Sequence, residues 1–135
     1  AYLDTDYAAK GRHACDALNE YDIVLVHVEA TDEASHEGSL KEKIQAIERV
    51  DREIVGPVMS LADSLPELRV LVLPDHYTPL SKRTHARGAV PFAMWGDGVQ
   101  TESGLDFSEE NAESTGYKVK KGHELMDTFV TGEDL

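Results

Sequence analysis

Apolar residues recur at three- and four-residue steps over residues 39–61, with charged residues between them, and this spacing predicts a long amphipathic helix. Ser39 followed by Glu42 fits a capping box at the start of that helix. Gly56-Pro57 interrupts the pattern and predicts a kink or a break. Two weaker helical patterns cover residues 5–18, with Thr5 as the N-cap, and residues 122–130.

Three short apolar runs predict strands at residues 22–28, 69–73 and 90–95, and the first of them is rich in β-branched residues. The first two runs contain few polar residues, as strands buried on both faces do. The third run contains Pro91, so it is expected to be an edge strand or to have the proline at an early strand position. Helices and strands that alternate in this way predict an α/β layered fold with a mostly parallel sheet. Because three strands are few for such a sheet, we expect missing neighbours and an exposed sheet edge, through which the chain could form a homo-oligomer.

The composition excludes several classes of protein. The chain has 135 residues, which is enough for one domain, and its formal net charge of -13 disfavours binding to nucleic acid or to an anionic membrane surface. No apolar run approaches the roughly 20 residues that cross a bilayer. The single cysteine, Cys15, cannot form an internal disulfide, so a cytoplasmic location is expected. Ala1 in place of Met suggests that the chain is cut from something longer.

Carboxylates and imidazoles gather where the predicted strands end, which is where open α/β sheets place their ligand sites. The set is suited to a divalent transition metal and comprises Asp32, His36, Asp75, His76 and His85. Asp32 and His36 are four residues apart, so they share one face if a helix forms there. Asp75 and His76 are adjacent and converge only in a loop. Alternatively, these residues are surface pairs and turn residues that bind no metal. We assign no side chain as a catalytic nucleophile.

Several motifs, in this order along the chain, resemble the cofactor-independent (2,3-bisphosphoglycerate-independent) phosphoglycerate mutases of the archaeal type. Residues 22–38 read DIVLVHVEATDEASHEG, and the motifs that follow are KI at 43–44, AIERVD at 46–51, LPDHYTP at 73–79, RTH at 83–85 and VPF at 90–92. The resemblance covers nearly the whole chain and is weakest after Asp97. It implies membership of the alkaline phosphatase superfamily, with a three-layer α/β/α core and two divalent metals, manganese or zinc.

The resemblance also implies roles for the candidate residues. One metal would be bound by Asp32, His36 and His85, and a second by Asp75 and His76 together with an aspartate and a nucleophilic serine. Those two partners precede the matched motifs in the family and are not in this chain. Residues 1–135 would then be a partial metal-binding domain, the carboxy-terminal portion of a longer enzyme that acts on a small phosphate ester and interconverts 3- and 2-phosphoglycerate through a phosphoserine.

Three classes of function therefore remain. The chain could be the metal-binding part of a mutase, part of another phosphatase or phosphotransferase of the superfamily, or a non-catalytic stand-alone module. We expect the isolated chain to bind a divalent metal weakly, at no more than one complete site, and not to turn over phosphoglycerate.

Overall fold

The computed structural model describes residues 2–100 and 104–132. These residues form two compact units, which are described separately. The first takes in the residues up to 64 together with Tyr77–Arg87, and the second takes in Leu65–His76 and the residues from 88 onward.

Helices build the first unit. In chain order they are α1 (Tyr7–Ala17), α2 (Ala30–Glu37), α3 (Leu40–Val50), a π-helix (Asp51–Val55) and α4 (Gly56–Met59). The N-cap of α1 is Asp6, whose carboxylate accepts a hydrogen bond of 2.8 Å from the Ala9 amide, so the assignment of Thr5 is wrong by one residue. Ser39 caps α3 as predicted, since its hydroxyl accepts from the amide of Glu42.

The predicted irregularity at Gly56-Pro57 takes the form of the π-helix that precedes the proline. Pro57 has no N–H, and in a regular α-helix its ring would meet the carbonyl of Glu53. The wider turn leaves that carbonyl beside α1, where an ideal Cβ on Gly11 would lie 2.1 Å from its oxygen. Gly11 is therefore required for α1 and the π-helix to pack this closely.

The core of the first unit is formed by Tyr7, Ala30, Ala46 and Ile54. The guanidinium of Arg49 lies 4.1 Å from the centre of the Tyr7 ring and donates to both carboxylate oxygens of Glu53, at 3.0 and 3.1 Å. Hydrogen bonds from Arg49 and from Arg52 lower the pKa of Glu53 to about 2. A partly exposed ion-pair network therefore joins α3, the π-helix and the aromatic core.

Residues 22–28 do not form the predicted strand, and this expectation is corrected. Val26 and Val28 pack against the core, but Ile23 is 56% exposed and Leu25 is 87% exposed. The physical reason is that no described residue forms backbone pairs with this segment, so it has neither ladder hydrogen bonds nor a cover over its second face. Burial on both faces, as the sequence predicted, is wrong for this chain by itself.

The second unit contains β1 (Arg69–Val72), β2 (Ala93–Gly96), α5 (Glu109–Ser114) and α6 (Glu124–Thr131). The strands predicted at 69–73 and 90–95 are confirmed with shorter bounds, and Pro91 lies just before β2. β1 and β2 pair antiparallel, with Arg69 opposite Gly96 and Val72 opposite Ala93. The predicted mostly parallel sheet is therefore not formed within the described residues, because their two strands pair with each other in opposite directions.

Arg69 connects the elements of the second unit. Its guanidinium donates to the carbonyl of Asp97 at 2.7 Å and to the carbonyls of Phe129 and Val130 at 3.1 and 3.0 Å. These last two carbonyls lie at the end of α6, where the helix has no further amides to satisfy them. The cationic side chain of β1 thus caps the carboxy-terminal helix.

Candidate metal centre

Helix α2 places Asp32 and His36 on one face, as their four-residue spacing predicted for a helix. Asp32 Oδ2 lies 3.2 Å from His36 Nε2, and both side chains are partly exposed. The C-cap of the helix is Gly38, which has a left-handed φ of 74°, and an added Cβ there would lie 2.4 Å from the guanidinium of Arg83. The end of α2 and the segment 77–87 are therefore in close contact.

The segment 77–87 brings His85 to the same face. An antiparallel bridge between Tyr77 and Ala86 closes its ends, and the Ala86 amide donates to the Tyr77 carbonyl at 2.8 Å. His85 Nε2 then lies 3.2 Å from His36 Nε2 and 3.6 Å from Asp32 Oδ1. The two carboxylate oxygens of Asp32 therefore lie close to the Nε2 atoms of two imidazoles, one from α2 and one from this segment.

The separations match those of ligands around one cation. With bonds of roughly 2.0–2.1 Å in a tetrahedral arrangement, neighbouring ligand atoms lie about 3.3 Å apart. Here His36 Nε2 lies 3.2 Å from Asp32 Oδ2 and 3.2 Å from His85 Nε2, and His85 Nε2 lies 3.6 Å from Asp32 Oδ1. A carboxylate with two imidazoles is also the donor set that zinc and manganese accept in proteins. The residues present therefore fit a divalent transition metal.

A main-chain carbonyl sets the tautomer of His36. His36 Nδ1 lies 2.9 Å from the carbonyl oxygen of Arg83, which can only accept a hydrogen bond. Nδ1 must therefore carry the proton, so that Nε2 of the neutral ring has the lone pair that a metal requires. Arg83 has a φ of 51°, the one left-handed value among the non-glycine residues described, so its backbone adopts an uncommon conformation at this contact.

Thr78 and Lys43 support the carboxylate of Asp32. The Thr78 hydroxyl donates to Asp32 Oδ1, and Thr78 is only 5% exposed. Its carbonyl accepts a hydrogen bond of 3.1 Å from Lys43 Nζ on α3. These contacts fix the position of Asp32 Oδ1, as outer-shell hydrogen-bond partners do for the ligands of metal sites.

Asp75 and His76 belong to the second unit and follow β1 in a loop, the only setting in which adjacent residues were expected to converge. Asp75 Oδ2 lies 3.5 Å from His76 Nε2, with Asp75 largely exposed. The two side chains are therefore close enough to act on the same ligand. Their role as metal ligands stays a prediction, as does that of Asp32, His36 and His85.

Sequence reasoning had not assigned roles to Thr78, Arg83 or Lys43, although each lies within a motif quoted for the resemblance. The signal available was proximity along the chain: Thr78 follows the Asp75-His76 pair by two residues, and Arg83 precedes His85 by two. Nothing in the sequence indicates that a carbonyl of Arg83, rather than its side chain, contacts His36.

The chain is similar to known metalloenzymes. The sequence signature of the metalloenzyme superfamily matches residues 2–128. The chain is 46% identical over 130 residues to 2,3-bisphosphoglycerate-independent phosphoglycerate mutase 2 of Methanothermobacter thermautotrophicus, and 44% identical over 131 residues to a mutase of Methanothrix thermoacetophila. It is 41% identical over 130 residues to a probable mutase of the same kind from Geobacter sulfurreducens.

These alignments cover 96% of this chain but only 32–33% of the relatives, so the chain spans about a third of their length. Among solved structures, that of the PH0037 protein from Pyrococcus horikoshii is similar, with a TM-score of 0.88 and 29% sequence identity. That match covers 99% of this chain and 41% of the other. None of the described helices has the length and apolar content that crossing a bilayer requires.

Proposed function

The chain belongs to the metalloenzyme superfamily, and from this premise we propose that it is the metal-binding part of a cofactor-independent phosphoglycerate mutase. Such an enzyme interconverts 3- and 2-phosphoglycerate through a phosphoserine intermediate. The identities of 41–46% to proteins with this name support the proposal. The nucleophilic serine and one further aspartate would come from the part of the enzyme outside this third of its length.

One observation carries the proposal: the carboxylate of Asp32, His36 Nε2 and His85 Nε2 lie 3.2–3.6 Å from one another, at distances suited to ligands of one cation. Asp32 supplies negative charge, and the Arg83 carbonyl keeps His36 in the tautomer whose Nε2 can bind. When bound, a divalent cation supplies Lewis-acid chemistry, because it neutralises phosphoryl charge and lowers the pKa of a coordinated hydroxyl. Asp75 and His76 are proposed to contribute to a second metal, and manganese and zinc are the expected cations.

The exposed apolar segment 21–25 supports the proposal that the chain acts as part of a larger three-layer α/β/α protein. Tyr21, Ile23 and Leu25 are 63%, 56% and 87% exposed. Apart from the His27 carbonyl, which accepts from Lys10, residues 22–28 form no hydrogen bonds through their main chain among the described residues. In the complete enzyme we propose that further strands of its sheet pair with this segment. In the isolated chain a second copy would take their place and give a homo-oligomer.

Calorimetric titration with Zn²⁺ and Mn²⁺ tests the metal centre directly. The wild-type chain should bind about one equivalent at the first site, and His85→Ala should abolish that binding because it removes one of three ligands. His13→Ala is the matched control, since His13 is an exposed histidine of the same unit on α1. Equal binding by the wild type and His85→Ala would refute this centre.

Activity is tested by supplying the rest of the enzyme. The chain is mixed with the remaining two-thirds of the Methanothermobacter relative, expressed separately, and 2-phosphoglycerate is followed in an enolase-coupled assay. We expect activity from the mixture, none from either part alone, and none when the chain carries Asp32→Asn. Activity of the chain by itself would contradict the proposal.

The same mixture tests the second candidate function, a phosphatase or phosphotransferase of the superfamily. This candidate is supported by the sequence signature, which identifies the superfamily and not one enzyme within it. Hydrolysis of p-nitrophenyl phosphate without isomerisation of phosphoglycerate would favour that candidate. A mixture that binds metal but turns over neither substrate would favour a non-catalytic module. The single Cys15 supports a reducing compartment, and we propose a cytoplasmic location.

A further inference from the structure

We propose that Thr78 is a positioning residue of the metal centre, and that its hydroxyl orients the Asp32 carboxylate for the cation. The inference rests on the proposed role of Asp32 as a ligand. It extends the observed contact to a measurable effect of the Thr78 hydroxyl on metal affinity. Its basis is a buried hydroxyl that donates to Oδ1 of that carboxylate.

A carboxylate on an exposed helix face rotates freely unless one of its oxygens is held. Thr78 holds Oδ1, while Oδ2 lies 3.2 Å from His36 Nε2. Both oxygens of Asp32 are thus directed toward the two imidazoles before a cation arrives. Preorganisation of this kind lowers the entropy cost of binding, because the side chain is already in its bound rotamer.

The backbone around Thr78 is held by contacts that do not involve its side chain. The antiparallel bridge between Tyr77 and Ala86 closes the segment. Lys43 Nζ binds the carbonyl of Thr78, not its hydroxyl. A substitution that removes only the hydroxyl therefore leaves the anchoring of the segment intact.

The hydroxyl and the methyl group of Thr78 can be separated by substitution. Thr78→Val keeps the shape and removes the donor, whereas Thr78→Ser keeps the donor and removes the methyl group. Thr5→Val is the matched control, because Thr5 is 7% exposed in the same unit and its side chain forms no hydrogen bond within the described residues. All variants are made in the full chain.

The experiment measures the Zn²⁺ dissociation constant by competition with a chromogenic chelator, together with the thermal midpoint of the metal-free protein. Thr78→Val should weaken Zn²⁺ binding by roughly 10- to 100-fold, the usual effect of losing an outer-shell partner. Thr78→Ser and Thr5→Val should bind within about threefold of the wild type. The metal-free midpoint of Thr78→Val should fall no further than that of Thr5→Val.

A purely structural role predicts the opposite pattern, in which the metal-free midpoint of Thr78→Val falls and its affinity does not change. That result overturns the inference while the proposed function stands. A wild-type chain that binds no Zn²⁺ or Mn²⁺ overturns both. If Thr78→Val does not fold, Lys43→Met decides, because it releases the Thr78 main chain without altering a ligand: weaker binding supports the inference and unchanged binding refutes it.

Discussion

Replacing Gly11 with alanine tests the close packing of α1 against the π-helix. An ideal Cβ at residue 11 would lie 2.1 Å from the carbonyl oxygen of Glu53 and 3.3 Å from the Cα of Ile54. Carbon–oxygen contacts in proteins are ordinarily about 3.3–3.6 Å. The obstructing atom belongs to the backbone, so no rotamer change can relieve the overlap and the two helices must move apart by about 1 Å.

Two effects of this substitution oppose each other. Alanine is favoured over glycine inside a helix by about 0.8–1 kcal/mol. Overpacking of a well-filled contact costs typically about 1–3 kcal/mol, and more where the backbone must shift. Because the contact is with main-chain atoms, we expect the second effect to exceed the first, for a net loss of about 1–2 kcal/mol in the free energy of unfolding. At this chain length each kcal/mol lowers the thermal midpoint by roughly 4 °C.

Urea unfolding followed by circular dichroism measures the difference, with the slope of the transition checked for equality between variants. Gly122→Ala is the control, because nothing lies within 4 Å of an added Cβ there, and its stability should be within about 0.5 kcal/mol of the wild type. A Gly11→Ala chain as stable as the wild type, or more stable, would refute the argument that this contact requires glycine.

Three further predictions address other parts of the molecule. Arg49 and Arg52 lower the pKa of Glu53 to about 2, so the ionised Glu53 stabilises the fold fully above pH 4.5 and progressively less as the pH falls toward 2. The stability difference between the wild type and Glu53→Gln, measured by urea unfolding, should therefore shrink over that pH window. Arg69→Met should reduce the stability of the chain by about 2–3 kcal/mol, since it removes charged donors from three carbonyls, and should speed amide exchange in α6. Leu25→Lys should reduce self-association in light scattering, because it places a charge on the most exposed apolar side chain of the 21–25 segment.

Each of these has a matched control. Glu48→Gln changes an exposed glutamate whose side chain forms no ion pair or hydrogen bond with the residues that the structure describes, and its stability difference from the wild type should not vary over the same pH window. Arg12→Met removes an exposed arginine whose side chain forms no hydrogen bond within residues 2–100 and 104–132, and it should leave amide exchange in α6 unchanged. Leu40→Lys places the same charge at another exposed leucine, on α3. Equal effects of a variant and its control would contradict the corresponding argument.

Local spacing was sufficient to predict several features of the fold. The helical period over residues 39–61 and the cap at Ser39 are confirmed, because both depend on residues within one or two turns of each other. The strands near 69–73 and 90–95 are confirmed for the same reason. The direction in which those strands pair was not predictable, since it depends on the path of the intervening chain.

The sequence by itself determined the types of side chain available for a metal and the shared helix face of Asp32 and His36, because chemistry and a four-residue period are local properties. Only the tertiary structure decided that His85, 49 residues from His36, lies 3.2 Å away, that the Arg83 carbonyl selects the tautomer of His36, and that Thr78 holds Asp32. These contacts depend on where the 77–87 segment closes over α2. The exposure of Leu25 has the same origin, since burial of a β-branched run requires partner strands that the run itself does not specify.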